Sequence, residues 1–299
     1  MKLFWGKPCP REAVFHCQSF SNEIFFEGVP ERVELLPEPR GMRGKKRFLP
    51  EKEEWKKRVG KALELIEKGV VEKVVLSRAC LVELKESPDP FAIAAALRER
   101  EERTTVFCLS EGKQAFLGAT PERLFSRRRN KIESEALAGT QWGGREFSEK
   151  QMRELEPVRQ FVCDALAPFC VDPPLFSPVH IHQTNHLRHL RSTCHATLLP
   201  GVSDKQLQAV LHPTPALAGS PQPQALALIR QWEERGLYGG FLGWRHRDSS
   251  EYVVAIRCCS LAGTMATLRT GVGIVAGSDP DAEWEELNQK LRVYEGVLL

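Results

Sequence analysis

At 299 residues, 42% of them apolar and 27% charged, the chain is long enough for one large globular domain or two modest ones. A formal charge of +3, with Lys and Arg scattered, excludes a dedicated nucleic-acid binder and leaves room for a local basic pocket that takes a small anion. Nine cysteines with no CxxC pair read as reduced thiols. The start MKLFWGKPCPRE lacks a signal peptide's apolar run, and no stretch reaches the ~20 apolar residues of a membrane span. A soluble cytoplasmic protein without membrane contact is expected.

Residues 1–50 read as a short irregular segment broken by Pro30, Pro37, Pro39 and Gly41, with GMRGKKRF as an exposed basic linker. Order begins at residue 51, and 51–299 form the expected main domain. Trp55, Val59, Leu63 and Ile66 fall at helical spacing, and Gly69 ends that run. KVVLSRACLVEL (73–84) reads as a strand, and Pro88-Asp89-Pro90 opens a helix that runs to Arg100. Four short strands follow, TTVFCLS, QAFLGA, RLFSRR and KIESEAL. A helix from Ser148 carries the stripe Val158, Val162, Leu166, with Glu154 on the same side one turn earlier. One strand spans HIHQTNHLRHLRSTCH (180–195). Two helices come next, SDKQLQAVL and QALALIRQWEERG, and then the strands GGFLGWR, EYVVAIRCCSL and TMATLRTGVGIVAG. A helix in DAEWEELNQKLRVYEGVL closes the chain. Strands and helices mix without regular β-α-β alternation, which favours an α+β fold with mainly antiparallel sheets.

The stretch from His180 to His195 holds five of the eight histidines. A zinc site would want His at i, i+4 on a helix or tight Cys/His pairs, and no Asp or Glu falls here to orient a ligand. It reads as a strand with one or two hydrogen-bonded core histidines. The segment GVGIVAGSDPDAEWEELNQK carries more information. Ser278 or Asp279 can cap the helix that follows, and Pro280 suits its first turn. Glu283 and Glu286 face one way, and Lys290 continues that face. Alone, this is a solvated face with an i, i+4 ion pair. Gly271, Gly273 and Gly277, however, suggest backbone that something approaches closely. Carboxylates beside such a surface suit a hard cation such as Mg²⁺, and Glu154 could be a partner ligand.

KVVLSRA (73–79), FLGATPERLF (116–125), EALAGT (135–140), HPTPALAG (212–219), ERGLYGGFLGW (234–244), VVAIRC (253–258) and GVGIVAGSDPDAEWEELNQKL (271–291) occur in this order. Together they resemble the chorismate-utilising enzymes: isochorismate synthases, salicylate synthases, and the large subunits of anthranilate and aminodeoxychorismate synthases. The resemblance covers about residue 50 to the end. It implies an α+β domain of two orthogonally packed antiparallel β-sheets flanked by helices, with the active site between the sheets. It also implies Mg²⁺ as cofactor and chorismate as substrate.

Carried over residue by residue, Lys73 matches the general base that activates water and Glu122 the general acid. Glu154 and Glu286 match the metal ligands, with Glu283 close by. Arg257 and Tyr238 match residues that hold the enolpyruvyl carboxylate, and Lys290 matches a carboxylate contact at the metal end. Gly139 and Thr140 match the loop along the substrate, and His212 the histidine beside the ring. Gly273 belongs to the glycine surface against it. His189-Leu190 matches a His-Leu on a core strand. Outside the motif set, Lys73 would read as a strand-start surface lysine and Glu122 as a turn residue paired with Arg123. Ala216-Leu217 is the isochorismate-synthase form of a position where lyase members tend to carry Thr. Isochorismate synthase is therefore the expected branch. The alternatives are a salicylate synthase, an ammonia-using anthranilate or aminodeoxychorismate synthase, and a chorismate binder without turnover. With about fifty residues ahead of the first motif helix, no glutaminase subunit is expected. In the family isochorismate feeds menaquinone, catecholate siderophore and salicylate synthesis.

Overall fold

A period of two sets the architecture. Along Met265–Val275 every second side chain is buried, as on a strand with one covered face. The computed structural model describes residues 1–35, 44–144, 146–147 and 149–299. In chain order these form β1 (Lys2–Trp5), β2 (Val14–Gln18), β3 (Ile24–Gly28), β4 (Glu31–Arg32), β5 (Lys45–Leu49), α1 (Lys52–Glu67), β6 (Lys73–Glu83) and α2 (Pro90–Arg100). Then come β7 (Thr105–Glu111), β8 (Gln114–Thr120), β9 (Arg123–Arg128), β10 (Lys131–Gln141), α3 (Glu149–Leu166), β11 (Leu175–Phe176), β12 (His180–Gln183) and β13 (Arg188–Thr197). The last third supplies α4 (Asp204–Leu211), β14 (Gly219–Ser220), α5 (Gln222–Trp232), β15 (Phe241–His246), β16 (Ser249–Val254), β17 (Cys258–Ala262), β18 and α6 (Pro280–Leu291), where β18 is the Met265–Val275 strand.

The strands make two sheets. One runs β14-β6-β18-β17-β8-β7-β1-β4, with β5 also on β6; the other runs β11-β13-β10-β9-β16-β15-β2-β3, with β12 also on β13. Pairing is antiparallel except between β1 and β4. Leu3, Trp5, Phe107 and Leu109 of the first sheet share an apolar cluster with Phe15, Leu242, Trp244 and Val253 of the second, so the sheets face each other. A larger cluster joins α1, α3, α4, α5 and α6 to both sheets. The α+β expectation holds. Among the described residues no helix is long and apolar enough to cross a membrane.

The described part of the first fifty residues is not irregular. β1 to β5 lie within them and extend both sheets. Lys45–Phe48, read from sequence as exposed linker, belongs to β5, which pairs with Ala79–Glu83 and covers part of an edge of β6. Pro37, Pro39 and Gly41 lie outside the described residues, as does the expected helix start at Ser148. Strands of two to five residues are too short for alternation to reveal, which is why the prolines dominated the reading.

Two expected single strands are broken. The histidine stretch is a hairpin, with His182 opposite His189 across β12 and β13. EYVVAIRCCSL divides between sheets, β16 in the second and β17 in the first. The chain crosses at Ala255-Ile256-Arg257, and Arg257 takes a left-handed φ of 50°. That conformation costs a non-glycine residue ~1–3 kcal/mol and persists only where its surroundings hold it. The Arg257 carbonyl accepts from the Ala119 amide at 3.1 Å and the Tyr294 hydroxyl at 3.0 Å. Gly118 is required beside it, since a Cβ there would come within 2.6 Å of that carbonyl oxygen.

Candidate active site

The crossover, the first residue of β6 and the turn between β8 and β9 converge on one cavity between the sheets. It is partly open to solvent, and its lining mixes backbone and apolar side chains with a few convergent charged groups, as small-molecule sites do. Lys73, Glu122, Gly139, Thr140, Glu154, Ala216, Leu217, Tyr238, Arg257, Gly273, Glu286 and Lys290 all line it. Residues separated by up to 217 positions thus meet in one place, which sequence motifs can suggest and only folding brings about.

Lys73 opens β6 opposite Val275 of β18 and is 6% exposed. Gly273 makes room for it: a Cβ there would lie 2.5 Å from the lysine Cε and 3.1 Å from Nζ. Burial pushes the Lys73 ammonium below its ordinary value, the nearby Glu154 opposes that, and the Lys290 charge adds to it. Glu122 is 4% exposed. Its amide donates to Thr120 Oγ1 at 3.3 Å, and its carbonyl accepts from the Val254 amide at 3.1 Å. Burial, aided by the Glu135 carboxylate, pushes its carboxyl up to about 8 against the pull of Lys73, Arg257 and Lys290. The lysine is moved toward neutrality and the carboxyl toward protonation, as a base and an acid working near neutral pH require.

The other half of the cavity comes from helices. Asp279 caps α6, accepting from the Ala282 amide at 2.8 Å, and Pro280 takes the first position. Ser278 instead accepts from the Val275 amide at 3.2 Å. Lys290 Nζ sits 2.7 Å from Glu286 Oε1 and donates to the Gly271 carbonyl at 2.8 Å. Glu154 reaches the same cavity from α3. Glu283 is buried one turn before Glu286 and does not line it. Among the described residues no three His, Cys, Asp or Glu side chains are grouped to hold a metal. Two carboxylates facing one open cavity nonetheless fit a hard cation that keeps water and substrate oxygens in its remaining positions.

His212 was expected beside the substrate ring, but it is a core residue that does not line the cavity. Its Nε2 lies 2.8 Å from the Gly239 carbonyl, its ring packs against Phe20 and Phe241, and burial pushes it down to about 4. The site histidine is His189, which the sequence offered only as part of a core strand. Arg257 Nη2 donates to His189 Nε2 at 3.3 Å, so Nδ1 carries the proton and donates to the Gly139 carbonyl at 3.0 Å. Burial and the Arg257 charge hold this imidazole neutral. Its signal lies in the strand register, where Thr140 pairs with His189. Gly139 itself has a φ of 64° and lies against Gln151, which donates to the Thr140 carbonyl at 2.6 Å. Tyr238, 7% exposed, points its hydroxyl at Gly271, where a Cβ would lie 2.5 Å away. Burial pushes that phenol up, so it remains a donor.

The family model described as "Chorismate binding enzyme" matches residues 26–299. The chain belongs to the chorismate-binding enzymes. It is 30% identical to isochorismate synthase MenF of Haemophilus influenzae over 298 residues, covering 93% of this chain and 66% of that protein. It is 34% identical to Arabidopsis thaliana isochorismate synthase 2 over 251 residues, covering 78% of this chain and 45% of the plant protein. It thus spans less than two thirds of either relative. Among solved structures, Escherichia coli MenF superposes with a TM-score of 0.87 at 24% identity, over 95% of this chain and 78% of that one, and shares the fold.

Proposed function

We propose that this chorismate-binding enzyme is an isochorismate synthase. The observation that carries the reading is that a buried lysine and a buried carboxyl, Lys73 and Glu122, line one cavity, where burial moves the first toward neutrality and the second toward protonation. Neutral Lys73 takes a proton from water as the water oxygen bonds to ring carbon 2 of chorismate. The two ring double bonds shift, the carbon 4–oxygen bond breaks, and Glu122 gives its proton to the departing hydroxyl. One water enters and one leaves, so the reaction is an isomerisation. General acid and base catalysis of this type contributes about 10²–10⁴-fold each.

Arg257, oriented through His189, holds the enolpyruvyl carboxylate through a bidentate pair, with the Tyr238 hydroxyl donating beside it. Glu154 and Glu286 would hold Mg²⁺, which when bound supplies positive charge opposite the ring carboxylate. Lys290 keeps Glu286 in place from the next turn and presents its own charge to that carboxylate. Ala216 and Leu217 supply the apolar wall.

The test is to incubate purified protein with chorismate and Mg²⁺, with an EDTA control, and to separate the products by chromatography. Metal-dependent isochorismate without pyruvate is the expected outcome. Salicylate with equimolar pyruvate would move the reading to a salicylate synthase. Turnover appearing only with ammonium salt would move it to the ammonia-using branch.

A further inference from the structure

The acid-bearing turn between β8 and β9 is held by a carboxylate that the proposed mechanism does not use. Glu135, on β10, is 3% exposed. Its Oε2 accepts from the backbone amide of Arg123 at 3.3 Å, the peptide that leaves Glu122. Its Oε1 accepts from the Arg191 guanidinium of β13 and lies 3.7 Å from Arg123 Nη1. Behind it Arg123 also meets Glu133 at 3.1 Å and Glu251 at 3.7 Å, and Lys7 closes on Glu251 at 3.1 Å. Arg191 in turn touches His182 Nδ1 at 3.3 Å. A row of alternating charges therefore crosses β16, β9, β10 and β13, with Glu135 as its buried carboxylate nearest the cavity.

We propose that Glu135 is the positioning residue of the general acid: it clamps the Glu122–Arg123 peptide and presents a fixed negative charge to the Glu122 carboxyl. This rests on the reading of Glu122 as an acid. The Arg191 and Arg123 guanidiniums supply counter-charge to a carboxylate buried at this depth, and a negative neighbour disfavours the charged form of Glu122. The groups facing Glu122 from other elements pull the opposite way: Lys73 of β6, Arg257 of the crossover and Lys290 of α6. Glu154 and Glu286 complete the charged lining. Without Glu135 the pull of the three cations on Glu122 would be opposed by burial alone, and the acid would lose its proton at a lower pH.

Glu135→Gln keeps the side-chain shape and an acceptor for the Arg123 amide while deleting the charge. Two readouts are followed against pH. One is kcat for chorismate. The other needs no substrate: the infrared C=O stretch of protonated Glu122, identified as the band that Glu122→Gln deletes. In Glu135→Gln both midpoints are expected to move to lower pH by about one unit, with KM unchanged and kcat at pH 6 close to wild type. Glu135→Asp keeps the charge further back, and its midpoint should fall between the two; this variant carries the test should Glu135→Gln not fold. An infrared midpoint at or above the wild-type value in whichever variant folds overturns the proposal. So does a kcat loss equal at every pH, which a purely structural role would give. If wild type makes no isochorismate, the infrared midpoints still decide the Glu135 proposal, so the two failures are told apart.

Discussion

The strand-borne and helix-borne halves of the cavity solve different problems. Lys73, Glu122 and Arg257 stand on strands or at a strand crossover and are each at most 9% exposed. Glu154, Glu286 and Lys290 stand on helices at the rim and are half-buried. Desolvation acts on the first set and moves an amine and a carboxyl toward each other in acidity, which proton transfer uses. The second set keeps contact with water, which suits the exchange of an ion and an anionic substrate proposed for it. Lys73 is paired on both flanks of its strand, and Glu122 and Arg257 sit where the chain passes from one sheet to the other, so the flanking strands hold all three in place.

Breaking the buried half should have the largest effect. Lys73→Ala is expected to lose about 10²–10⁴-fold in kcat with an unchanged circular dichroism spectrum; full activity in that variant would remove Lys73 from the mechanism. Glu122→Gln should lose a similar factor and gain stability. The sign follows from its acidity. The carboxyl is raised from 4.5 to about 8, so between those pH values the folded state holds a proton that the unfolded state has released. Its contribution is fully present below 4.5 and is lost as pH rises toward 8. Glutamine does not titrate, so the variant's melting temperature should exceed wild type by a few degrees at pH 8 and by less at pH 5. Equal shifts at both would contradict the raised acidity.

Gly273→Ala sharpens the comparison without replacing a reacting group. The new methyl would displace the flexible end of Lys73, so the fold should survive while kcat falls by up to about 10²-fold; steady-state kinetics with a melting curve separates the two. At the rim, Glu286→Gln should raise the Mg²⁺ needed for half-maximal rate by about 10-fold or more and weaken Mn²⁺ binding in calorimetry. The Lys73 limb should move to lower pH, because Glu286 is one of the carboxylates that favour that ammonium, while the Glu122 limb stays in place; a shifted Glu122 limb would contradict this division. Smallest of all, His180→Ala with His195→Ala changes two exposed histidines far from the cavity lining. Activity should stay within about twofold, and a larger loss would restore a function to the histidine stretch.

Much of the site was legible because its residues sit in motifs whose local conformation is self-contained. The Asp279 cap and Pro280 start α6 from sequence alone, and that fixes Glu286 and Lys290 one turn apart on one face. Lys73 opens a strand whose apolar run is unmistakable. Less was legible where a residue's role depends on what lies across from it. His189 and His212 look alike in sequence, yet one is opposite Thr140 at the cavity and the other is walled in by Phe20 and Phe241. Glu283 and Glu286 look like a pair, and three residues of helical rotation put one inside and one at the rim.

The sequence by itself determined the α+β class, the helix starts and most of the residues that line the cavity, because periodicity, caps and glycine positions are set by neighbours along the chain. The tertiary structure alone decided that the first fifty residues join both sheets. It also decided that EYVVAIRCCSL breaks at Arg257 to cross between them, and that Glu135 stands behind Glu122. Each of these depends on strand pairing between distant segments. Pairing supplies the burial that shifts Lys73 and Glu122, and burial is a property of the assembled sheets, not of any stretch of the chain.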